Sequence, residues 1–189
     1  MDGVKFVPIH VEPDYFSVTV KIEGNEYTIS NLSFSGYDVN ECSGLVPKLG
    51  AGSVIRNVNF VDVDVTLHSK SCGVIAGIVA GQCEISNCSI GGQISYTLDD
   101  ARYLGGVVGE VYNVPGIIFK DITVDLKYDV PSTVESMGGV VGYFNLPSSI
   151  ELSNIVNRSK DTLIIKSSKD GVGGLFGCIH FPSELRIHD

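Results

Sequence analysis

Apolar and polar residues alternate in many short stretches of this chain. Two clear examples are Val61-Asp62-Val63-Asp64-Val65-Thr66-Leu67 and Ile122-Thr123-Val124-Asp125-Leu126-Lys127-Tyr128. A period of two residues is typical of a β-strand that buries one face. No stretch has the i, i+3, i+4, i+7 spacing of apolar residues that an amphipathic helix shows. The pattern therefore predicts a chain that is nearly all β.

A glycine-rich apolar block recurs along the chain. The copies are Gly44-Leu45-Val46-Pro47, Gly73-Val74-Ile75-Ala76, Gly106-Val107-Val108-Gly109, Gly139-Val140-Val141-Gly142 and Gly174-Leu175-Phe176-Gly177. Their first glycines are separated by 29, 33, 33 and 35 residues. A second block, with Asn or Asp at its third position, stands at Ile29–Leu32, Ile55–Val58, Ile85–Cys88, Phe119–Ile122 and Leu152–Ile155. Two blocks that share one period indicate a repeat architecture.

A repeat of this length, with about three short strands joined at Gly, Asn, Ser or Asp corners, is typical of one coil of a parallel β-helix. We expect a single domain over residues 1–189, a right-handed β-solenoid of about five to six coils with roughly 30–35 residues each. Residues 1–21 would form an N-terminal cap or first strand, residues 22–180 the repeats, and residues 181–189 an incomplete last coil. A sandwich or barrel predicts no fixed motif at a fixed period.

The repeat also predicts corner and core positions. Asparagine tolerates the left-handed backbone of a sharp corner better than most residues. The second block should therefore align Asn31, Asn57, Asn87 and Asn154 in a hydrogen-bonded column that Asp121 interrupts. The expected interior residues are Leu45, Ile55, Val74, Ile85, Val107, Phe119, Val140, Leu152 and Leu175, together with buried cysteines.

The chain has five cysteines, namely Cys42, Cys72, Cys83, Cys88 and Cys178. No pair has the C-x-x-C spacing of a metal or redox site. We expect them to fill the core as small apolar side chains. Cys42 and Cys72 hold nearly equivalent repeat positions, so a disulfide between them stays an open alternative.

These blocks resemble the GLUG-type repeat of bacterial surface and adhesin-like proteins, in which a G-G-[LV]-[VF]-G strand is followed by an I-x-N-[CLV] strand. The stretch Ile22-Glu23-Gly24-Asn25-Glu26-Tyr27-Thr28-Ile29-Ser30-Asn31-Leu32 is similar to the F-D-G-N-G-x-T-I-S-N-L segment that opens such arrays. The resemblance covers residues 22–180 and departs from the family pattern at Glu23, Pro47 and Ala76.

The resemblance implies a β-helical stalk or adhesive region that is extracellular or at the cell surface. Such regions are often attached to large exported proteins, including IgA-cleaving metallopeptidases and adhesins. The family pattern transfers no catalytic residue to this chain. We expect no signal peptide in residues 1–20, which have early acidic residues and no apolar core segment. We therefore expect a piece of a longer protein or a small stand-alone member, such as a phage virion or tail appendage component.

Charge and hydropathy exclude two kinds of partner. Thirteen Lys and Arg against 22 Asp and Glu give a net charge of -9, so a polyanion such as nucleic acid would be repelled. The longest apolar stretches fall far short of the roughly 20 residues that a membrane helix needs. We expect protein or glycan partners, with no nucleic acid and no membrane span.

Candidate chemistry is sparse. The histidines, His10, His68, His180 and His188, lie at unrelated repeat positions without ligand spacing such as H-E-x-x-H. Parallel β-helices that cleave acidic polysaccharides need several carboxylates on one lateral face, and the candidates are Asp62, Asp64, Asp125 and Asp129. The simpler explanation for Asp62 and Asp64 is the solvent face of a strand. We expect no enzymatic activity, metal or cofactor, and the alternative is a polysaccharide lyase or hydrolase.

Two surfaces are candidates for binding. Tyr103, Tyr112 and Tyr143 form one candidate partner surface, to which Asp62 and Asp64 are added. Tyrosine rings on one side would suit glycan or protein contact, whereas the alternative is that each ring packs on a neighbouring coil. The other candidate is a docking edge in the last coil, formed by Phe176, Ile179 and Phe181. Through it the chain would continue into a longer protein or self-associate.

Overall fold

Parallel strands account for most of the structure. The computed structural model describes residues 17–35, 42–97, 101–130, 134–159, 171–180 and 184–188. Within these ranges 75% of the residues lie in strands and none in a helix, which confirms the all-β expectation. The strands are β1 (Lys21–Ser30), β2 (Ser33–Ser35), β3 (Cys42–Ser43), β4 (Val46–Leu49), β5 (Ser53–Leu67), β6 (Ser71–Cys72), β7 (Ala76–Val79), β8 (Cys83–Tyr96), β9 (Ala101–Gly105), β10 (Val108–Tyr112), β11 (Ile117–Asp129), β12 (Val134–Gly138), β13 (Val141–Asn145), β14 (Ser149–Asn157), β15 (Gly171–Gly173), β16 (Phe176–His180) and β17 (Glu184–His188).

The strands form three parallel sheets. The long sheet has the order β1-β5-β8-β11-β14-β17, with β2 also paired to β5. The first short sheet has the order β3-β6-β9-β12-β15, and the second short sheet β4-β7-β10-β13-β16. The chain visits the three sheets in turn, and each strand pairs with its counterpart one repeat away. This arrangement is a β-solenoid, as the repeats predicted.

The solenoid has fewer coils than the sequence suggests. Complete coils consist of β5 to β7, β8 to β10, β11 to β13 and β14 to β16, so there are about 4 turns rather than five to six. The first unit differs because its long strand is divided into β1 and β2, and in the last unit only β17 is described. Most of the expected N-terminal cap lies outside the described residues; within residues 17–21, Val18 bridges Leu49 and β1 begins.

Equivalent residues of successive coils stack into columns inside the solenoid. One column runs through Ile55, Ile85, Phe119 and Leu152, each at most 1% exposed. The predicted core is also confirmed at Leu45, Val74, Val107 and Val140. Leu175 is only partly buried. It lies in the last complete coil, where the interior has fewer neighbours to cover it.

The second sequence block turns the chain at a left-handed corner. Asn57, Asn87, Asp121 and Asn154 have φ angles between 47° and 57°. The Asn87 amide donates to Oδ1 of Asn57 at 2.7 Å, and the Asn154 amide donates to Oδ1 of Asp121 at 2.8 Å. No hydrogen bond joins Asn87 to Asp121 in the described part of the chain. Asp121 interrupts the column because an ionised carboxylate has no proton to donate to Asn87.

The prediction for Asn31 is wrong, because this residue does not belong to the corner column. In the pairing of β1 with β5, Glu23 opposes Arg56. The Asn57 amide donates to the Glu23 carboxylate at 2.6 Å. Asn31 lies further along the strand direction, where its N–H donates to the carbonyl of Val61 at 2.9 Å. The block at Ile29–Leu32 thus matches the later blocks in sequence but not in register.

Glycines allow the two short sheets to approach each other closely. A Cβ added to Gly109 would lie 2.3 Å from the backbone N of Cys72. Gly77 stands at the equivalent position of β7, since Val108 opposes Ala76. Ala76 departs from the family pattern in sequence, but the next residue, Gly77, occupies the structural position of Gly109.

None of the five cysteines forms a disulfide, so the alternative of a bond between Cys42 and Cys72 is wrong. Ser43, rather than Cys42, opposes Cys72, and its Oγ lies 3.1 Å from the Cys72 Sγ. Burial raises the pKa of Cys72 to about 11. The expectation of buried, apolar cysteines is confirmed at Cys42, Cys72, Cys83 and Cys88, whereas Cys178 in the last complete coil is half-buried.

Candidate functional site

Polar side chains form rows across the outer face of the long sheet. Asp64, Gln93 and Lys127 occupy equivalent positions of β5, β8 and β11. The Gln93 amide donates to Oδ1 of Asp64 at 2.8 Å. In another row the Ser89 hydroxyl donates to Oδ1 of Asn59 at 2.8 Å. Both hydrogen bonds join one coil to the next.

Asp62 and Asp64 are both exposed on this face. Asp62 has a φ of 53° at an irregularity in the pairing of β5 with β8. This irregularity leaves Val61 41% exposed, although the alternation placed it in the core. A glycan-cleaving site would combine carboxylates with a basic residue. In this row Gln93 stands between Asp64 and Lys127.

The other candidates from the sequence are dispersed. Asp125 and Asp129 are exposed on β11. His68 lies beside Ser35, with its Nε2 3.0 Å from the serine Oγ. His10 lies outside the described residues. Within the described ranges, no group of three or more His, Cys, Asp or Glu side chains could hold a metal ion.

Two of the three candidate tyrosines contact each other. The rings of Tyr103 on β9 and Tyr143 on β13 stack with centroids 4.4 Å apart and an interplanar angle of 11°. Tyr143 is buried, and its hydroxyl oxygen lies 3.1 Å from Nδ1 of His180. Tyr103 is half-buried and forms the more accessible side of the pair. These two rings come from neighbouring coils and pack on each other, as the packing alternative predicted. The use of the tyrosines as a partner surface stays a prediction.

A buried carboxylate lies close to this tyrosine pair. Glu110 on β10 is 7% exposed. Its Oε2 accepts a hydrogen bond from the Ser71 hydroxyl, and its Oε1 accepts one from the Asn145 amide, both at 3.1 Å. A buried charge needs such partners, because an unpaired carboxylate away from water is costly. Ser71 and Asn145 therefore hold the Glu110 carboxylate in place, at the position of β10 that opposes Tyr143.

The environment of Tyr103 keeps its hydroxyl protonated. Burial is the largest cause that raises the pKa of Tyr103, to about 12, and the charges of Glu110 and Glu135 add to it. At neutral pH the Tyr103 hydroxyl is a neutral group that donates and accepts hydrogen bonds. The ring and hydroxyl together offer an amphipathic contact of the kind that binding surfaces use.

Tyr112 lies on the same strand as Glu110, two residues further on, and is 51% exposed. It opposes Asn145, whose amide holds Glu110. Asp62 and Asp64 lie in the long sheet, so the five predicted surface residues are divided between two parts of the fold. We use the name tyrosine surface for Tyr103, Tyr112 and Tyr143.

Sequence reasoning missed the residues that support the tyrosine surface. Glu110 was overlooked, although it replaces apolar or aromatic residues at equivalent positions, Ile78 and Tyr143. The available signal was a carboxylate at a repeat position that holds Ile78 in the preceding coil and Tyr143 in the following coil. No pattern in the sequence joins Ser71 or His180 to this cluster, since they come from different coils.

The predicted docking edge lies beside a groove in the last coils. The groove has a volume of about 410 Å³ and is lined by Leu152, Ser153, Asn154, Ile155, Leu175, Phe176 and Ile187. Phe176 packs edge-on against Phe144, with centroids 5.5 Å apart. Ile179 is partly buried against the core, and Phe181 lies outside the described residues.

The fold defines the chain as a parallel β-solenoid repeat protein. No helix in the described ranges has the length and hydrophobicity needed to cross a membrane. No family model, curated protein or solved structure matches the chain. The resemblance to the GLUG-type repeat therefore stays a hypothesis that rests on the sequence blocks.

Proposed function

We propose that the chain is a non-catalytic structural or adhesive module of an extracellular, cell-surface or virion protein. It binds a protein or glycan partner along its side, or docks end to end in a larger assembly. The observation that carries this proposal is that polar side chains on neighbouring coils form hydrogen bonds with each other. Asn87 bonds to Asn57, and Ser89 bonds to Asn59, so these groups join neighbouring coils. Such contacts stabilise the stacking of the coils, so they favour a structural role for these polar residues over a catalytic one.

The tyrosine surface is the part of the shaft best suited to a partner. The half-buried Tyr103 stacks on the buried Tyr143, and Tyr112 on β10 is 51% exposed. Aromatic faces pack on the apolar faces of sugar rings and on protein side chains, while their hydroxyls bind polar groups. Asp62 and Asp64 on the long sheet form a second polar contact region.

Calorimetric titration with a panel of neutral and acidic polysaccharides tests the glycan form of this proposal. We expect binding without turnover, because the proposed surface holds its ligand by contact alone. Tyr103→Ala and Tyr112→Ala should each weaken binding about tenfold, the effect of losing one aromatic contact. Tyr27→Ala is the matched control, since Tyr27 is 75% exposed on β1, in the long sheet.

A release of new sugar ends or unsaturated products would contradict the non-catalytic proposal. If Asp62→Ala or Asp64→Ala then abolished this turnover, the chain would be a polysaccharide lyase or hydrolase. Equal losses of affinity in Tyr103→Ala and in the Tyr27→Ala control would exclude the tyrosine surface as the binding site.

A further inference from the structure

The described part of the long sheet ends at the edge strand β17. Among the described strands, β17 is the last in this sheet and pairs only with β14. Its other side presents backbone N–H and C=O groups that can pair with another strand. Proteins usually protect such edges, since an open edge is a template for association. The edge at β17 is therefore a candidate interaction surface.

Two residues of β17 occupy core columns yet are exposed. Ile187 opposes Leu152 and extends the column of Ile55, but it is 66% exposed. Leu185 opposes the buried Ile150 and is 41% exposed. The groove lined by Leu152 and Ile187 lies at the same end. Burial of these apolar side chains against a partner would be favourable.

The charge pattern of β17 is complementary to itself. Glu184 and Arg186 flank Leu185 and lie close together on one face, with an Arg186 nitrogen 2.7 Å from Oε1 of Glu184. When two copies of this strand pair antiparallel with Leu185 opposite Leu185, Glu184 of each copy stands opposite Arg186 of the other. Opposite charges that face each other across a strand pair are favourable. Two reciprocal ion pairs then flank the apolar contact.

A head-to-tail arrangement of two copies lacks this complementarity. The registers of the long sheet place Lys21, Glu84, Glu151 and Arg186 in one column. If β1 of a second copy continued this column, its Lys21 would face Arg186. Like charges directly opposite each other are unfavourable. A twofold arrangement is also the commonest symmetry of homo-oligomers.

We propose that two copies of this chain dimerise through antiparallel pairing of their β17 strands, with Glu184 of each copy facing Arg186 of the other. The two long sheets then form one continuous sheet across a twofold axis near Leu185. This inference deepens the end-to-end docking within the proposed function, and it makes no use of the tyrosine surface. Failure of the dimer and failure of lateral binding are therefore distinguishable.

Sedimentation velocity over a range of protein concentrations tests the proposal. The mass of the wild-type chain should rise from 20.2 kDa toward twice that value. Glu184→Arg and Arg186→Glu each replace both reciprocal ion pairs with like-charge contacts, so each should weaken dimerisation about tenfold or more. The double variant Glu184→Arg/Arg186→Glu restores the complementarity between the copies, although it places a second carboxylate opposite Glu151 of the same copy. It should therefore dimerise more tightly than either single variant.

Lys120→Glu is the matched control for Arg186→Glu, because both variants replace a positive charge with a negative one and Lys120 is exposed on β11. It should leave dimerisation unchanged, and circular dichroism checks that each variant is folded. A wild-type chain that stays monomeric at every concentration overturns the proposal. So does a double variant that fails to recover, or a single variant that dimerises as well as the wild type.

Cross-linking tests the register of the pairing. Directly opposite residues of antiparallel strands have Cβ atoms about 4.5–5.5 Å apart, so Leu185→Cys should form a disulfide-linked dimer readily under mild oxidation. In the same register the two copies of Ile187→Cys do not oppose each other and should cross-link at least about tenfold more slowly, since disulfide formation requires close Cβ atoms. The native cysteines are common to both variants. Faster cross-linking of Ile187→Cys contradicts the proposed register.

Discussion

At the scale of single residues, the left-handed corner explains why asparagine recurs in the second block. Asn57, Asn87 and Asn154 combine a positive φ with a side chain that reaches the neighbouring coil. Most other residues would find this backbone conformation unfavourable. Asp121 keeps the conformation, with a φ of 52°, but lacks the donor that its place in the column requires. The column of hydrogen bonds is therefore interrupted between Asn87 and Asp121, where one N–H donor is missing.

Asp121→Asn should repair the column. The new amide would donate to Oδ1 of Asn87 while its oxygen still accepts the bond from Asn154. We expect the free energy of unfolding to rise by about 0.5–1.5 kcal/mol, the usual net value of one hydrogen bond. Urea denaturation measures it. Asp125→Asn, which removes a charge from an exposed site on the same strand, is the control. An equal gain in both variants would assign the effect to net charge.

Glu23 should make the stability of the chain depend on pH. Its pKa is lowered from the ordinary value of 4.5, first by the hydrogen bond from Asn57 and then by that from Arg56. The folded state therefore favours the carboxylate more than the unfolded state does. The resulting stabilisation is present above the unfolded pKa and is lost as the pH falls through the lower, folded pKa.

The test compares urea midpoints of the wild type and Glu23→Gln from pH 3 to pH 7. We expect the wild type to be more stable near pH 7, with the difference shrinking below about pH 4. Glu26→Gln, on the same strand, controls for the loss of one negative charge. A difference between wild type and Glu23→Gln that does not vary with pH would contradict the assignment of this stabilisation to the Glu23 carboxylate.

At the scale of strands, close packing of the two short sheets sets the sequence of the glycine-rich block. A side chain at Gly109 would meet the backbone N of Cys72 rather than the flexible end of a side chain. Backbone atoms in paired strands cannot move away without breaking their own hydrogen bonds. The block is therefore a packing requirement of β10 against the first short sheet, and the sequence does not need to be explained by a ligand.

Gly109→Ala should lower the free energy of unfolding by about 3 kcal/mol, at the upper end of what overpacking costs. Gly174→Ala is the matched control, because an added Cβ there has no atom of the described residues within 4 Å. Its effect should stay within about 0.5 kcal/mol. Thermal or urea denaturation of the two variants decides the matter. Similar losses at both positions would show that the close approach is not what the glycine provides.

At the scale of the whole molecule, each coil is stabilised by its neighbours on both sides. β8 and β11 are paired along both edges, whereas β17 is paired only to β14 among the described strands. Stability in solenoids is approximately a sum of such nearest-neighbour terms. The central coils should therefore open less often than the ends.

Hydrogen exchange should reveal this gradient. In dilute protein we expect amides of β8 and β11 to exchange most slowly and those of β17 at least about tenfold faster. Exchange from β17 should slow as the protein concentration rises, if β17 pairs with a second copy. Uniform protection from β8 to β17 in dilute protein would contradict the nearest-neighbour description.

The sequence by itself determined the architecture, because each coil repeats the same local requirements. Alternation predicted the strands, the repeat of glycine-rich blocks predicted the coils, and Asn57, Asn87 and Asn154 predicted the corners. The sequence did not predict the register of the first unit. The block that contains Asn31 looks like the later ones, and only the pairing of β1 with β5 shows that it lies at a different register.

Only the tertiary structure decided which side chains meet across coils. Tyr103 and Tyr143 stack although 39 other residues separate them along the chain, and Ser71 reaches Glu110 from a different sheet. Such contacts depend on the exact register and spacing of the sheets, which local periodicity does not encode. The exposed core position at Ile187 likewise follows from where the column of Leu152 ends. Periodicity specifies what each coil buries, but the stacking of coils specifies what lies at their surfaces and ends.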